Sequence, residues 1–253
     1  MVQQAMIDHC AKMQDRFAIL DSIRGADPNG GIQAQKATLS SDRGFAAIYY
    51  PWITISNPAD GSPLLMPPSG HIAGLYARTD NQEGVFKAPA NDNLRGVIDL
   101  ERILTDEEQG PLNDLSINAI RFFSGRGIVV WGARTISSDP EWMYVNVRRL
   151  FIYLEHSIDR GTQWAVFEPN NEALWLRIRL TIESFLYDVW RTGALMGTKP
   201  QEAYFVRCDR TTMSQGDLDN GRLVCLIGVA PTKPAEFVIF RIGQMPTGGG
   251  VEE

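Results

Sequence analysis

Histidine and cysteine are both scarce, with three of each in 253 residues. His9, His71 and His156 sit at no metal-ligand spacing of the HExxH kind. Cys10, Cys208 and Cys225 contain no CxxC pair and are odd in number. They fit small, buried apolar roles in a reducing compartment better than a disulfide framework or a zinc centre. No apolar run nears the roughly 18 residues of a membrane span, and no basic opening followed by an apolar stretch has signal-peptide form. Excess positive charge is missing too. The net charge is −6, which argues against a nucleic-acid partner held by a chain-wide basic field. There is no GxxxxGK[ST] phosphate loop and no GxSxG elbow. Gly125 and Gly127 in "SGRGIVVWG" precede a strand instead of joining a strand to a helix. They therefore read as a hairpin turn and not as a dinucleotide loop. No cofactor and no metal are expected.

What is present has ordinary globular proportions, 44% hydrophobic and 21% charged. Residues 2–15 carry an amphipathic stripe through Val2, Met6, Cys10 and Met13. A chain that starts directly in such a helix suggests that further residues precede it in the parent protein. Strands are expected at 16–23, at 44–56 with a bend at Pro51, and at 117–135 as two strands joined at Ser124–Gly127. Helices are expected over 31–42, 71–80, 139–158 with Asp139 as its cap, and 172–191. Residues 57–70 and 87–93 read as loops, and Thr105 caps an acidic turn that breaks at Gly110–Pro111. In "SIDRGTQWAVFEPNNEALWLRIR" (157–179) a helix is expected to end at Gly161. A strand is expected over 162–167, and a second helix capped by Asn170 or Asn171. The end is β-rich: 202–209 and 221–231 flank a polar loop, and "AEFVIFRI" (235–242) follows two prolines. Residues 243–253 read as a mobile tail. The mixture lacks strict βαβ alternation. It predicts an α+β (mixed α/β) fold, a mixed β-sheet flanked by helices with a C-terminal β-hairpin. One core domain is expected over residues 1–242.

Candidate chemistry is thin. Glu168 ends the expected strand, where catalytic carboxylates often sit, yet Pro169 holds it extended and its neighbours all have capping roles. His71 lies two residues from Ser69, too close in sequence for a nucleophile–base pair. A hydrolytic enzyme built on Glu168 or His71 is the alternative reading. Two features point instead to assembly. Residues 236–242, "EFVIFRI", are apolar on both faces, with Phe237 and Ile239 on one and Val238, Phe240 and Ile242 on the other. Such a strand requires burial on both sides, in its own sheet or in a neighbour's. The prolines of "APTKPA" (230–235) would stiffen the connector and project it outward. The second feature is a run of arginines on the two long helices of an acidic chain: Arg148, Arg149, Arg160, Arg177, Arg179 and Arg191. These are either solvated flanks or a basic face for an acidic partner.

"AAIYYPWITISNP", "PPSGHIAGLYARTD", "INAIRFFSGRGIVVWGART", "YVNVRRLFIYLEHSI", "QWAVFEPNNEALW" and "GVAPTKPAEFVIFRI" together resemble the tail sheath protein of contractile bacteriophage tails and related injection systems, in its C-terminal portion. The resemblance implies a structural subunit with no catalytic centre. Such subunits stack in six-fold rings around an inner tube and contract to drive that tube through a target envelope. Its implied partners are other sheath subunits, the tube protein, and baseplate and tail-terminator proteins. Its implied location is a virion tail or injection particle assembled in the bacterial cytoplasm. It implies a donor strand at Glu236, Phe237, Val238, Ile239, Phe240, Arg241 and Ile242, which adds to a neighbouring subunit. It implies a receiving hairpin carrying Tyr204, Val206, Cys208, Leu223, Cys225 and Ile227, and the six arginines would face the tube. The family's N-terminal donor segment is not in this sequence. A baseplate or cap protein with a sheath-like domain is a further alternative.

Overall fold

The computed structural model describes residues Val2–Phe237. The chain opens with helix α1 (Val2–Met13), strand β1 (Ala18–Asp21), helix α2 (Gly31–Ala37) and strand β2 (Ala46–Tyr50). A cis Tyr50–Pro51 peptide turns it out of β2. Strands β3 (Ile53–Ser56) and β4 (Pro63–Met66), helix α3 (Ser69–Gln82), and strands β5 (Asp92–Asn93) and β6 (Val97–Leu100) follow. Helix α4 (Asp106–Asp114) leads into strands β7 (Ile117–Phe123) and β8 (Gly127–Trp131). The remainder holds the long helices α5 (Val145–Thr162) and α6 (Glu172–Arg191), then α7 (Pro200–Ala203), β9 (Tyr204–Arg207), α8 (Gln215–Asp219) and β10 (Leu226–Val229).

The main sheet has the order β1-β2-β7-β8-β5. β1, β2 and β7 are parallel, and β8 pairs antiparallel with both β7 and β5. Every residue of β2 is buried, as a central strand covered on both faces requires. Its alternate residues feed two different cores. Ala46, Ile48 and Tyr50 pack with Ile7 and Cys10 of α1, Ile32 of α2 and Leu112 of α4. Ala47 and Tyr49 pack with Ile72, Leu75 and Tyr76 of α3 and with Ile120 and Val130. Pro51 cannot donate to a ladder, and the expected bend is there. Beyond it, β3 joins a separate antiparallel sheet of order β4-β3-β6. A third cluster joins Leu150 and Leu154 of α5 to Leu174, Trp175, Ile178, Ile182, Leu186 and Val189 of α6. The mixed α+β fold is thus as expected.

Several local expectations change. α5 starts at Val145 and not beside Asp139. Residues 143–145 are held extended, with Thr135 N–H donating to Met143 O and Val145 N–H donating to Ala133 O. That ladder delays the helix, and the Asp139 carboxylate caps only a local turn, accepting from Glu141 N–H. The expected strand over 162–167 is absent: α5 runs on to Thr162 and a 3-10 turn covers Gln163–Ala165. Thr162 Oγ1–H bonds back to Ile158 O and Gln163 Nε2 to Asp159. Local helical bonds win because no strand among the described residues lies beside 162–167 to pair with it. The expected loop 57–70 contains β4, which folds back on β3 in register. The expected loop 87–93 ends in β5. α2 stops at Ala37, well short of residue 42. α4 is not broken at Gly110 but continues through Pro111, pinned by fully buried Leu112.

Candidate assembly surfaces

β9 and β10 form a two-stranded antiparallel ribbon, with Phe205 opposite Gly228 and Val206 opposite Ile227. One face packs on α6. Tyr204, Val206, Leu223, Cys225 and Ile227 are partly buried against the α6 cluster and Cys208 is buried within it. Tyr204 O–H also donates to Glu183 O on α6. The six side chains expected on the hairpin are therefore brought together, and they anchor it to its own chain. The opposite face is apolar and open: Phe205 and Leu226 are each 51% exposed and Val224 is 39% exposed. These residues escaped notice in the sequence, although alternation in "YFVR" and "LVCLIGV" marks them. Each strand has a single neighbour among the described residues, so each offers an outer row of backbone donors and acceptors for a further strand. Burial pushes the Cys225 thiol up to about 12 and raises that of Cys208 as well. Both are free thiols.

After β10 the connector is fastened to the body rather than projected from it. Ala230 N–H donates to Ala203 O, Met196 N–H to Ala230 O, and Thr232 N–H to Ala194 O. Thr232 Oγ1–H donates to Gly193 O. Glu236 then accepts two bonds from Arg134, at 2.7 and 2.6 Å. Phe237 is 71% exposed. Val238, Ile239, Phe240, Arg241 and Ile242 of the expected donor strand, and the expected tail 243–253, lie outside the described residues.

The six arginines divide. Arg148 is wholly buried and faces no surface, a correction to its expected tube-facing place. Its guanidinium lies between the Trp142 and Phe45 rings, 3.5 and 4.4 Å from their centroids. Arg149 is spent internally on a two-fold ion pair with Asp80, at 2.9 and 2.5 Å, and stacks on Tyr76. Arg179 lies 3.8 Å from Glu183 on its own helix. Arg160, Arg177 and Arg191 are exposed, and Arg177 also stacks on Trp164. α6 is capped as expected, with Asn171 Oδ1 accepting from Leu174 N–H. Asn170 serves instead as a strut between Trp175 Nε1–H and Arg222 O.

Glu168 is exposed in the turn before α6, 3.7 Å from Arg177. His71 lies in the first turn of α3. Among the described residues no three His, Cys, Asp or Glu side chains are grouped to hold a metal ion. No helix among them is long and apolar enough to cross a membrane.

Fold and surfaces together define an α+β module whose distinctive exposed elements are a strand pair with open edges and arginine-bearing helix faces. The chain belongs to the phage tail sheath family: the family model "Phage tail sheath protein central domain" matches residues 1–136 and "Phage tail sheath C-terminal domain" matches residues 137–244. It is 27% identical over 192 residues to the tail sheath protein of Enterobacteria phage T4, covering 74% of this chain and 28% of that protein. A subunit of the sheath complex of an extracellular contractile injection system, PVC, in the contracted state, is 41% identical, with a TM-score of 0.83 over 90% of this chain and 64% of that one. A chain of the contracted anti-feeding prophage baseplate is 34% identical, with a TM-score of 0.86 over 96% and 68%. The chain thus spans about a quarter of the T4 relative and about two thirds of the injection-system subunits.

Proposed function

We propose that this chain is the core, over residues 1–242, of a structural subunit of a contractile sheath. Copies stack as six-fold rings around an inner tube and contract to drive that tube through a target envelope. The carrying observation is the β9–β10 ribbon: it is glued to α6 on one face, and among the described residues both its edges and its apolar outer face are uncovered. A strand such as 236–242 from a neighbouring copy satisfies those edges, and Phe205 and Leu226 cover one of its apolar faces. Chains linked in this way form an open array, since a heterologous contact that does not close on itself repeats. The exposed arginines Arg160, Arg177 and Arg191 suit an acidic tube surface. The particle is a virion tail or injection apparatus, assembled in the bacterial cytoplasm.

Deleting residues 238–253 tests this reading. The truncated chain should fold as a monomer, while the longer sheath protein with its tube partner forms filaments visible by negative-stain electron microscopy. Filaments that survive the deletion would refute strand donation. The similarity to a baseplate chain favours a second reading, a baseplate component with the same core. Six or fewer copies per particle would establish that reading, whereas a sheath requires many rings.

A further inference from the structure

Glu236 is the last anchored residue before the apolar segment, and its partner lies 102 residues earlier. Arg134 belongs to the stretch matched by the central-domain model and Glu236 to the stretch matched by the C-terminal one. Arg134 is itself built in firmly. Its backbone N–H donates to Asn118 Oδ1 at 2.7 Å, and Asn118 Nδ2 donates back to Arg134 O at 2.8 Å. Asn118 is buried in β7 and also reaches Ile48 O on β2. The Arg134 side chain is 13% exposed, and its third contact is to Asn113 O at the end of α4. The fork that remains, Nε and one Nη, meets both carboxylate oxygens of Glu236, whose side chain is 20% exposed. Tyr144 O–H donates to the same carboxylate from 3.4 Å. A bidentate, half-desolvated pair of this kind is both stronger and more directional than a surface ion pair.

We infer that Arg134 and Glu236 form a latch that seats the chain up to Phe237 on the central domain and fixes the point from which the following segment starts. Glu236 is a positioning residue that holds the start of the apolar segment to its own chain. The connector from Ala230 to Thr232 is tied to the α6–α7 joint, and the latch ties its far end to the segment after β8 that Asn118 of β7 holds, so the arm cannot pivot at "APTKPA" while both hold. Any swing of the segment toward a neighbour during rearrangement pivots at Phe237 or breaks the latch. The link to contraction rests on the strand-donor reading above; the latch itself does not.

The test uses the full chain and hydrogen exchange read by mass spectrometry. In Glu236→Gln and in Arg134→Met, exchange at the amides of Ala230 and Thr232, the hydrogen-bonded amides of the connector that the latch holds down, should rise about tenfold or more. Amides of β2 and β7 should keep wild-type protection, which controls for general unfolding. Tyr144→Phe should give a smaller rise. Unchanged exchange at Ala230 and Thr232 in Glu236→Gln overturns the latch. A rise in exchange that accompanies filaments insensitive to deletion of 238–253 keeps the latch and removes the donor role, so the two failures are distinguishable.

Discussion

Arg148 holds its guanidinium carbon 3.5 Å from the centroid of the Trp142 ring, and none of its three guanidinium nitrogens has a hydrogen-bond partner among the described residues. Burial of an unpaired cation is costly. It drags the Arg148 pKa down to about 10, with Glu155 partly offsetting the effect and Arg43 adding to it. The aromatic faces of Trp142 and Phe45 are what compensates, and a desolvated cation–π contact of this kind is worth about 2 kcal/mol or more. Arg149, the next residue on α5, points about 100° away round the helix. There it finds a carboxylate.

The neighbours should therefore respond oppositely to the same change. Arg148→Met keeps a flexible apolar chain under Trp142 and removes the buried charge. It should leave stability unchanged or raise it by about 1–4 kcal/mol. Arg149→Met strips Asp80 of a two-fold ion pair and should cost about 1–3 kcal/mol. Urea midpoints of the two variants measure the difference. An Arg148→Met protein less stable than Arg149→Met would contradict this account of the stack.

The same division decides which arginines can report on a tube partner. Reversing Arg148 or Arg149 would damage folding first. Arg160→Glu, Arg177→Glu and Arg191→Glu alter exposed groups, and each should shift stability by no more than about 0.5 kcal/mol. In co-sedimentation with tube the triple variant should bind more weakly. The deficit should be larger at low salt than at high, because screening shortens the reach of exposed charge. Equal binding at both ionic strengths would remove these residues from the interface.

How far the sequence could carry such distinctions depends on the range of the forces involved. The β7–β8 turn is legible because Gly125 and Gly127 adopt positive φ values of 75° and 84°, which local chemistry alone demands. The caps at Thr105 and Asn171 are legible for the same reason. The start of α5 is not, since Met143 and Val145 are held by Thr135 and Ala133, and only the folded chain brings these pairs together. The absent strand at 162–167 fails likewise. Its alternation of Trp164 and Val166 is real, but no edge lies beside it and both side chains are exposed. The arginine run was visible as composition, whereas helix rotation against particular neighbours determined which members reached solvent. The Arg134–Glu236 pair spans 102 residues and carries no local signal.

Gly228 marks where the ribbon tolerates least. A β-carbon there would lie 2.2 Å from Cε1 of Phe205, its cross-strand partner. The ring covers the glycine backbone, so Gly228→Ala must push Phe205 aside and disturb the open apolar face. The expected cost is about 1–3 kcal/mol, felt in the ribbon before the rest of the fold. Exchange protection at Val206 and Ile227 should drop while β2 is unaffected. Gly228→Ala combined with Phe205→Ala should recover part of the loss, as removal of the ring relieves the clash. No recovery in the double variant would mean the glycine is needed for another reason.

Alkaline pH should loosen the same region early. The Cys225 thiol is raised from 9.0 to about 12 in the folded chain, mainly by burial and then by the Cys208 thiol beside it. The unfolded chain therefore gives up that proton first. Stability contributed by the protonated thiol is complete below about pH 9 and is lost as pH climbs toward 12. Tyr50, whose hydroxyl donates to Ala26 O at 2.7 Å, behaves alike from a higher start, raised by burial from 10.0 to about 12. Arg148 opposes both, because its lowered value means the folded chain sheds its proton first and gains stability as pH rises above about 10. Between about pH 9 and 10 Cys225 acts with the least interference from the other two. Urea midpoints of the wild type should fall across that interval, and in Cys225→Ala the fall should be smaller, what is left coming from Cys10 and Cys208, whose thiols burial also raises. A wild-type midpoint that falls no more steeply than the variant's would show that the folded ribbon does not raise the Cys225 thiol.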